Sequence, residues 1–305
     1  MEPTYTLADL QNWSTITQDG APIRLGIFGD PIDHSLSPQM QNAALKACEL
    51  EMRYARFHIE PEALEEALRL LPALEFIGIN LTIPHKLAAA ALVDELDPFA
   101  RSVGAINAIR LEGGKLIGFN TDGPGFSRAI RHEFSVDLRD LRVLLLGAGG
   151  GAGRAIAYQC AAENCERLVL VNRTAEKAEQ LAADLKQSLA DTRVAGPVAR
   201  LQAIPWDEHA LRQQIANVDL VVNATSLGLR RSDPPALSAA ILAPHLMVYD
   251  TVYTRARTPI LVAAEEAGAR GANGLSMLLH QGALAFERWF DRDAPVETMR
   301  AALVQ

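Results

Sequence analysis

The sequence predicts an α/β protein of two domains, each built on a mostly parallel sheet. Two observations carry this. From Ile23 onward, short apolar runs alternate with helical stretches, the signature of β–α–β units. The alternation then restarts near Leu141, where "RVLLLGAGGGAGRAIAYQCAAE" reads as a buried strand, a glycine loop and a helix. The restart places the boundary, giving 1–122 as the first domain and 123–273 as the second. A chain of 305 residues fits about two domains.

In order, the first 20 residues form a polar, partly ordered lead-in, and Ile23–Gly29 is a strand. Residues 37–50 have helical spacing, with Ser37 as N-cap and Pro38 at the first helical position. A strand at 53–59, a helix at 61–71, a strand at 76–83 and a helix at 84–96 follow. Residues 105–121 form a hairpin that turns at Gly113-Gly114. In the second domain, a strand running into the glycine loop at 142–150 and strands at 167–174, 218–226 and 245–253 alternate with helices at 152–163 and 175–190. The last helical stretch, 276–290, could pack on either domain.

Composition narrows the function. A net charge of −8 argues against a general nucleic-acid binder, which would be basic. No apolar run reaches the roughly 20 residues that cross a bilayer, and the N-terminus lacks a secretory pattern. Cys48, Cys160 and Cys165 form no metal-ligand spacing and fit a reducing compartment. The expectation is a cytoplasmic monomer or homodimer without a metal, acting on a small molecule.

Strand, glycine loop and helix in that order make a dinucleotide-binding turn. Gly147 permits the turn, Gly149 lets a pyrophosphate approach bare backbone, and Ala152 takes the third small position. The second strand ends in Asn172-Arg173-Thr174, with Lys177 one turn on, where an NAD binder carries Asp or Glu. A guanidinium suits a 2′-phosphate, so the cofactor expected is NADP. The competing reading makes Arg173 a solvated surface charge.

Polar residues gather where strands of the first domain end: "HSLSP" (34–38), "NLTIPHK" (80–86), "AIN" (105–107) and "FNTDGPGF" (119–126). Hydroxyls, asparagines, one lysine and one aspartate suit a small polyhydroxylated acid. His34 and His85 read as structural.

Together, "GDPIDHSLSP", "NLTIPHK", "GAIN", "FNTDGPGF", "GAGG", "NRT", "NATSLG", "DTVY" and "NGLSMLLHQGALAF" resemble the shikimate dehydrogenase family, in order and over nearly the whole chain. The resemblance implies reversible oxidation of shikimate to 3-dehydroshikimate with NADP, in aromatic amino-acid biosynthesis. It implies that Ser35 and Ser37 bind the substrate carboxylate. Asn80, Thr82, Asn107 and Gln281 would hold ring hydroxyls, and Lys86 and Asp122 would form the catalytic pair. Tyr253 would lie near nicotinamide and substrate. Gly150, Gly151, Thr225, Ser226, Gly274 and Met277 join the cofactor contacts. The final helices, 274–305, would return to the substrate domain.

The chain departs from the family pattern at three places. Gln41-Asn42 stands where His-Asn is common, Ala108 replaces a threonine, and the glycine loop is one residue longer. These bear on substrate preference and turnover. Quinate or another hydroxy acid is the alternative substrate, and a non-catalytic NADP-binding regulator is the alternative from another class.

Overall fold

The computed structural model describes residues 3–16, 20–189, 199–230, 232–254 and 256–304. The chain divides into two compact units, Met1–Gly125 with Leu278–Gln305, and Phe126–Met277.

The first unit contains β1 (Thr4–Thr6), α1 (Leu7–Gln11), β2 (Ile23–Gly29), α2 (Ser37–Ala47), β3 (Arg53–His58), α3 (Leu64–Leu70) and β4 (Gly78–Leu81). These are followed by β5 (Glu95–Leu96), α4 (Pro98–Val103), β6 (Ala108–Glu112) and β7 (Lys115–Phe119). Among the described residues the strands form a seven-stranded sheet in the order β1-β3-β2-β4-β6-β7-β5. Strands β1 to β4 pair in parallel, and β6 runs antiparallel between β4 and β7. Gly113 and Gly114, at φ +59° and +81°, close the β6–β7 hairpin. Both positive angles are what a two-residue primed turn needs. Strand β2 has β3 on one side and β4 on the other, so the chain changes direction at β2/β4. Open α/β sheets place ligands at such a point.

Helix α5 (Asp122–Phe134) leads to the second unit, with β8 (Arg142–Leu146), α6 (Gly151–Ala162), β9 (Arg167–Val171), α7 (Ala175–Leu185) and β10 (Leu201–Ile204). Then come α8 (Glu208–Ile215), β11 (Leu220–Asn223), β12 (Met247–Asp250), α9 (Pro259–Glu266), β13 (Arg270–Ala272), α10 (Leu275–Phe290) and α11 (Val296–Leu303). Among the described residues its six strands run parallel in the order β10-β9-β8-β11-β12-β13. This is the doubly wound dinucleotide-binding order, and its direction changes at β8/β11. Both faces are covered. Val143 and Leu145 of β8 enter one apolar cluster and Leu144 and Leu146 the other. That explains why the strand reads as unbroken apolar residues.

From Leu278 the chain belongs to the first unit. Trp289 Nε1 donates to the Ile109 carbonyl at 2.9 Å. Gly78 makes room for it, since a Cβ there would sit 2.1 Å from that nitrogen.

Three expectations are corrected. The lead-in is structured: Thr6 and Asp9 form a capping box on α1, and Trp13 packs against Tyr5, Phe57 and Phe76. Residues 1–2 and 17–19 of that stretch, like Ala190 of the expected 175–190 helix, lie outside the described residues. The expected helix at 84–96 is a turn, a 3₁₀ segment at Ala88–Ala91 and β5. Its alanines favour helix, but tertiary pairing wins: the Lys86 carbonyl accepts from Ile106 N–H, and β5 joins β7. Ser37 is the first residue of α2 rather than its cap; Leu36 occupies the cap position, and the Ser35 hydroxyl accepts the Ser37 N–H at 3.3 Å.

Candidate active site

Four chain segments meet in the first unit. After β4, the Thr82 N–H donates to the Phe28 carbonyl and the His85 N–H to the Thr82 carbonyl, so the chain turns tightly at the sheet end. Lys86 leaves this turn. Its Nζ donates to Asp122 Oδ2 at 2.6 Å, with side chains 16% and 4% exposed. Asp122 is the first residue of α5, but it does not cap its own helix. The Asn120 side chain does so, with Oδ1 accepting from the N–H groups of Asp122 and Gly123. The Asp122 carboxylate is therefore free for Lys86, and the helix N-terminus favours its charge.

Asn107 sits at the centre. Its Nδ2 lies 3.0 Å from Asp122 Oδ1, 2.9 Å from Thr121 Oγ1 and 3.1 Å from Gln281 Oε1. Its Oδ1 accepts the Thr121 N–H at 2.7 Å, which orients the amide. Asn80 Nδ2 donates to the Asn107 carbonyl at 3.0 Å. Tyr54, fully buried, donates its hydroxyl to Asn80 Oδ1 at 2.8 Å. Asn42 clamps the Tyr54 backbone through both amide atoms, at 3.0 and 2.8 Å. Asn80, Asn107, Asp122 and Gln281, which are distant in sequence, thus share one network with Lys86. Gln281 also donates to its own helix at the Leu278 carbonyl.

Ser35 is buried in the loop between β2 and α2, and Ser37 is buried as the first residue of α2. Thr82 is half-buried, with Cγ2 over Gly29, where a Cβ would meet it at 2.5 Å. His85 is buried against the Ile59 carbonyl at 2.8 Å, and burial lowers its pKa, so it is a neutral structural donor. His34 is exposed. Gln41 holds the Gly282 carbonyl, and Ala108 is a buried β6 residue paired with Asn80. Tyr54 and Asn120 escaped the sequence reading. Each stands beside a recognised group, but only the fold shows what its side chain reaches.

In the second unit the glycine loop is built for close approach. Gly147 has φ +83°, and a Cβ there would meet Thr225 Cγ2 at 2.7 Å. The Gly149 N–H donates to Asn172 Oδ1 at 3.1 Å, so Asn172 braces the loop. The third small position is Gly153, not Ala152: a Cβ on Gly153 would lie 2.1 Å from the Gly147 carbonyl oxygen. The extra loop residue shifts the helix by one. Gly150 takes the N-cap position of α6 without a side-chain cap, followed by Gly151 and Ala152. Arg173 and Thr174, just after β9, and Lys177, in the first turn of α7, are exposed. Arg173 and Lys177 form no ion pair among the described residues. Thr225 donates its hydroxyl to Asn223 Oδ1, and Ser226 beside it is exposed. Gly274 passes so near Thr251 that a Cβ would sit 2.1 Å from its carbonyl oxygen. Met277 is buried in the unit's core, and Tyr253 is half-buried after β12.

These residues fit a phosphorylated dinucleotide: bare backbone before an uncapped helix, and an unpaired guanidinium where a 2′-phosphate would lie. Among the described residues, no group of three or more His, Cys, Asp or Glu could hold a metal, and no helix is long and apolar enough to cross a membrane. Fold and site define a two-unit α/β dehydrogenase of the nicotinamide-linked class.

Residues 27–109 match the shikimate dehydrogenase substrate binding domain, 129–230 match shikimate/quinate 5-dehydrogenase, and 274–304 match the shikimate 5′-dehydrogenase C-terminal domain. The NADP(+) shikimate dehydrogenase of Methanopyrus kandleri is 41% identical over 95% of this chain and 98% of its own length. The shikimate dehydrogenase structure from Aquifex aeolicus superposes with TM-score 0.82 at 31% identity, covering 95% of this chain and 100% of that one. That of Thermus thermophilus in complex with NADP(H) and shikimate gives TM-score 0.78 at 35% identity, covering 92% and 98%. The chain belongs to the shikimate dehydrogenase family.

Proposed function

We infer that the chain oxidises shikimate reversibly to 3-dehydroshikimate with NADP, in aromatic amino-acid biosynthesis; its relatives are named NADP(+) shikimate dehydrogenases. The observation that carries the residue-level reading is the Lys86–Asp122 pair at 2.6 Å, joined through Asn107 to Gln281.

NADP, when bound, supplies the acceptor for the hydride leaving the carbinol carbon. Losing that hydride makes the hydroxyl acidic, so its proton needs an acceptor in place. Lys86 has three donors and gives one to Asp122, which leaves two directed elsewhere. These grip the reacting oxygen and stabilise the charge that develops on it. The pair takes up the hydroxyl proton as a unit; in the reverse direction Lys86 polarises the ketone and returns a proton to it. Asp122 holds Lys86 in one geometry, and Asn107 holds Asp122.

Asn80, Thr82, Asn107 and Gln281 bind ring hydroxyls, and Ser35 and Ser37 bind the carboxylate. In the second unit, Gly147, Gly149, Gly150, Gly151 and Ala152 line the pyrophosphate. Arg173, with Thr174 and Lys177, takes the 2′-phosphate, and Asn172 shapes the loop. Thr225, Ser226, Tyr253, Gly274 and Met277 complete the nicotinamide end. The intact Lys86–Asp122 pair supports turnover over a purely regulatory role. The free cysteines support a cytoplasmic enzyme, acting as a monomer or homodimer.

A steady-state assay of shikimate with NADP, following the reduced cofactor, tests this reading. Turnover with shikimate well above quinate is expected. A chain that binds NADPH yet oxidises neither acid would refute it.

A further inference from the structure

Strand β3 alternates strictly. Ala55 and Phe57 enter the apolar core, while Tyr54, Arg56 and His58 point to the other face. That other face serves the site, since Tyr54 reaches Asn80. Between Tyr54 and His58, the half-buried Arg56 directs its guanidinium at the Ser35 carbonyl. Nε donates at 3.1 Å and Nη2 at 2.8 Å.

Those two bonds leave three of the five guanidinium N–H groups. Among the described residues Arg56 has no carboxylate partner. The acids of the adjoining loop are engaged elsewhere: Asp30 with His58 at 2.9 Å and Asp33 with Thr4 at 2.9 Å. A cation withdrawn from water without a counter-ion is costly, and an arriving anion removes that cost. The two buried hydroxyls of Ser35 and Ser37 stand on the loop that Arg56 grips.

We propose that Arg56 is a specificity-determining residue for the substrate's acid group: its guanidinium fixes the Ser35 carbonyl and supplies the positive charge that selects a carboxylate over a neutral substituent. This rests on the assignment of Ser35 and Ser37 to that carboxylate. A planar fork on a carbonyl is a role that lysine, a point charge, fills only in part.

The test compares shikimate with its methyl ester, the ester as substrate or competitive inhibitor. Arg56→Gln raises KM for shikimate roughly 10- to 100-fold, with the loss concentrated in KM over kcat, while the ester's constant moves little. The preference for acid over ester therefore collapses. Arg56→Lys restores part of it, and it carries the same comparison if the glutamine variant fails to fold. Equal losses for acid and ester would make Arg56 scaffolding only, and unchanged constants would remove it from recognition; either overturns the proposal. A Ser35→Ala/Ser37→Ala variant in the same assay separates the two levels. If it collapses the preference and the Arg56 variants do not, only this inference falls. If it too leaves the preference intact, the carboxylate assignment falls.

Discussion

Lys86 shows how a residue's chemistry can be legible while its setting is not. The motif "NLTIPHK" points to a lysine at a strand end, but the alanine-rich run after it reads as helix. The structure instead turns there, because the Lys86 carbonyl is needed by Ile106 N–H. Asp122, at a helix start, has the residue type of a cap, yet Asn120 takes the capping bonds and leaves its carboxylate to Lys86. On the proposed mechanism, replacing Lys86 with Met removes both the proton carrier and the grip on the reacting oxygen. Turnover should fall by about 10²- to 10⁴-fold, measured as kcat with shikimate saturating. Asp122→Asn should lower kcat as well, because Lys86 loses its charged anchor and Asn107 can meet an amide hydrogen instead of an acceptor. Arg173→Ala should weaken NADPH about 10- to 100-fold in a binding titration and NADH far less, since only NADPH carries the extra phosphate.

At the level of elements, β8, β9, β11 and β12 of the second unit were the most readable, being apolar on both faces. The glycine loop was readable in kind but not in register, because five glycines in seven residues do not say which one must lack a side chain. Geometry says Gly153. Gly153→Ala forces α6 off the Gly147 carbonyl, at a cost of roughly 1–3 kcal/mol, and should lower both the melting temperature and NADPH affinity. At the ends of β11 and β12, the buried Asp250 carboxyl accepts from Asn223, Val252 and Thr258, and burial raises its pKa to about 6. An unfolded aspartate titrates near 3.9, so between about pH 4 and pH 6 the folded chain holds a proton the unfolded chain has released. This group's contribution is thus most favourable below about pH 4, declines through that window, and is flat above it, a total near 3 kcal/mol. Asp250→Asn has no such titration. Its melting temperature relative to the parent should rise from pH 4 to pH 7 by calorimetry; a gap that does not depend on pH would contradict the account.

Across the whole chain, two α/β units could be read from the restart of the strand–helix pattern. Their edges could not. Strands β1, β5, β10 and β13 are two to four residues long, too short for periodicity to register. The capping box of α1 and the buried Trp13 show that the lead-in belongs to the first unit's core, a fact that its polar composition conceals. The C-terminal segment is likewise a working part of the first unit, since it brings Gln281 to Asn107 and Trp289 over Gly78. Trp289→Ala leaves that space empty and the Ile109 carbonyl without its partner. It should destabilise the protein by about 3–5 kcal/mol in denaturant titration.

The measurement that bears most directly on the central claim is the initial rate of NADPH formation from shikimate, taken side by side for the parent chain and Lys86→Met. The account predicts ready turnover by the parent and a loss of at least about 10²-fold in kcat for a variant that still folds and still binds NADPH. A variant that turns over shikimate at the parent's rate would contradict it.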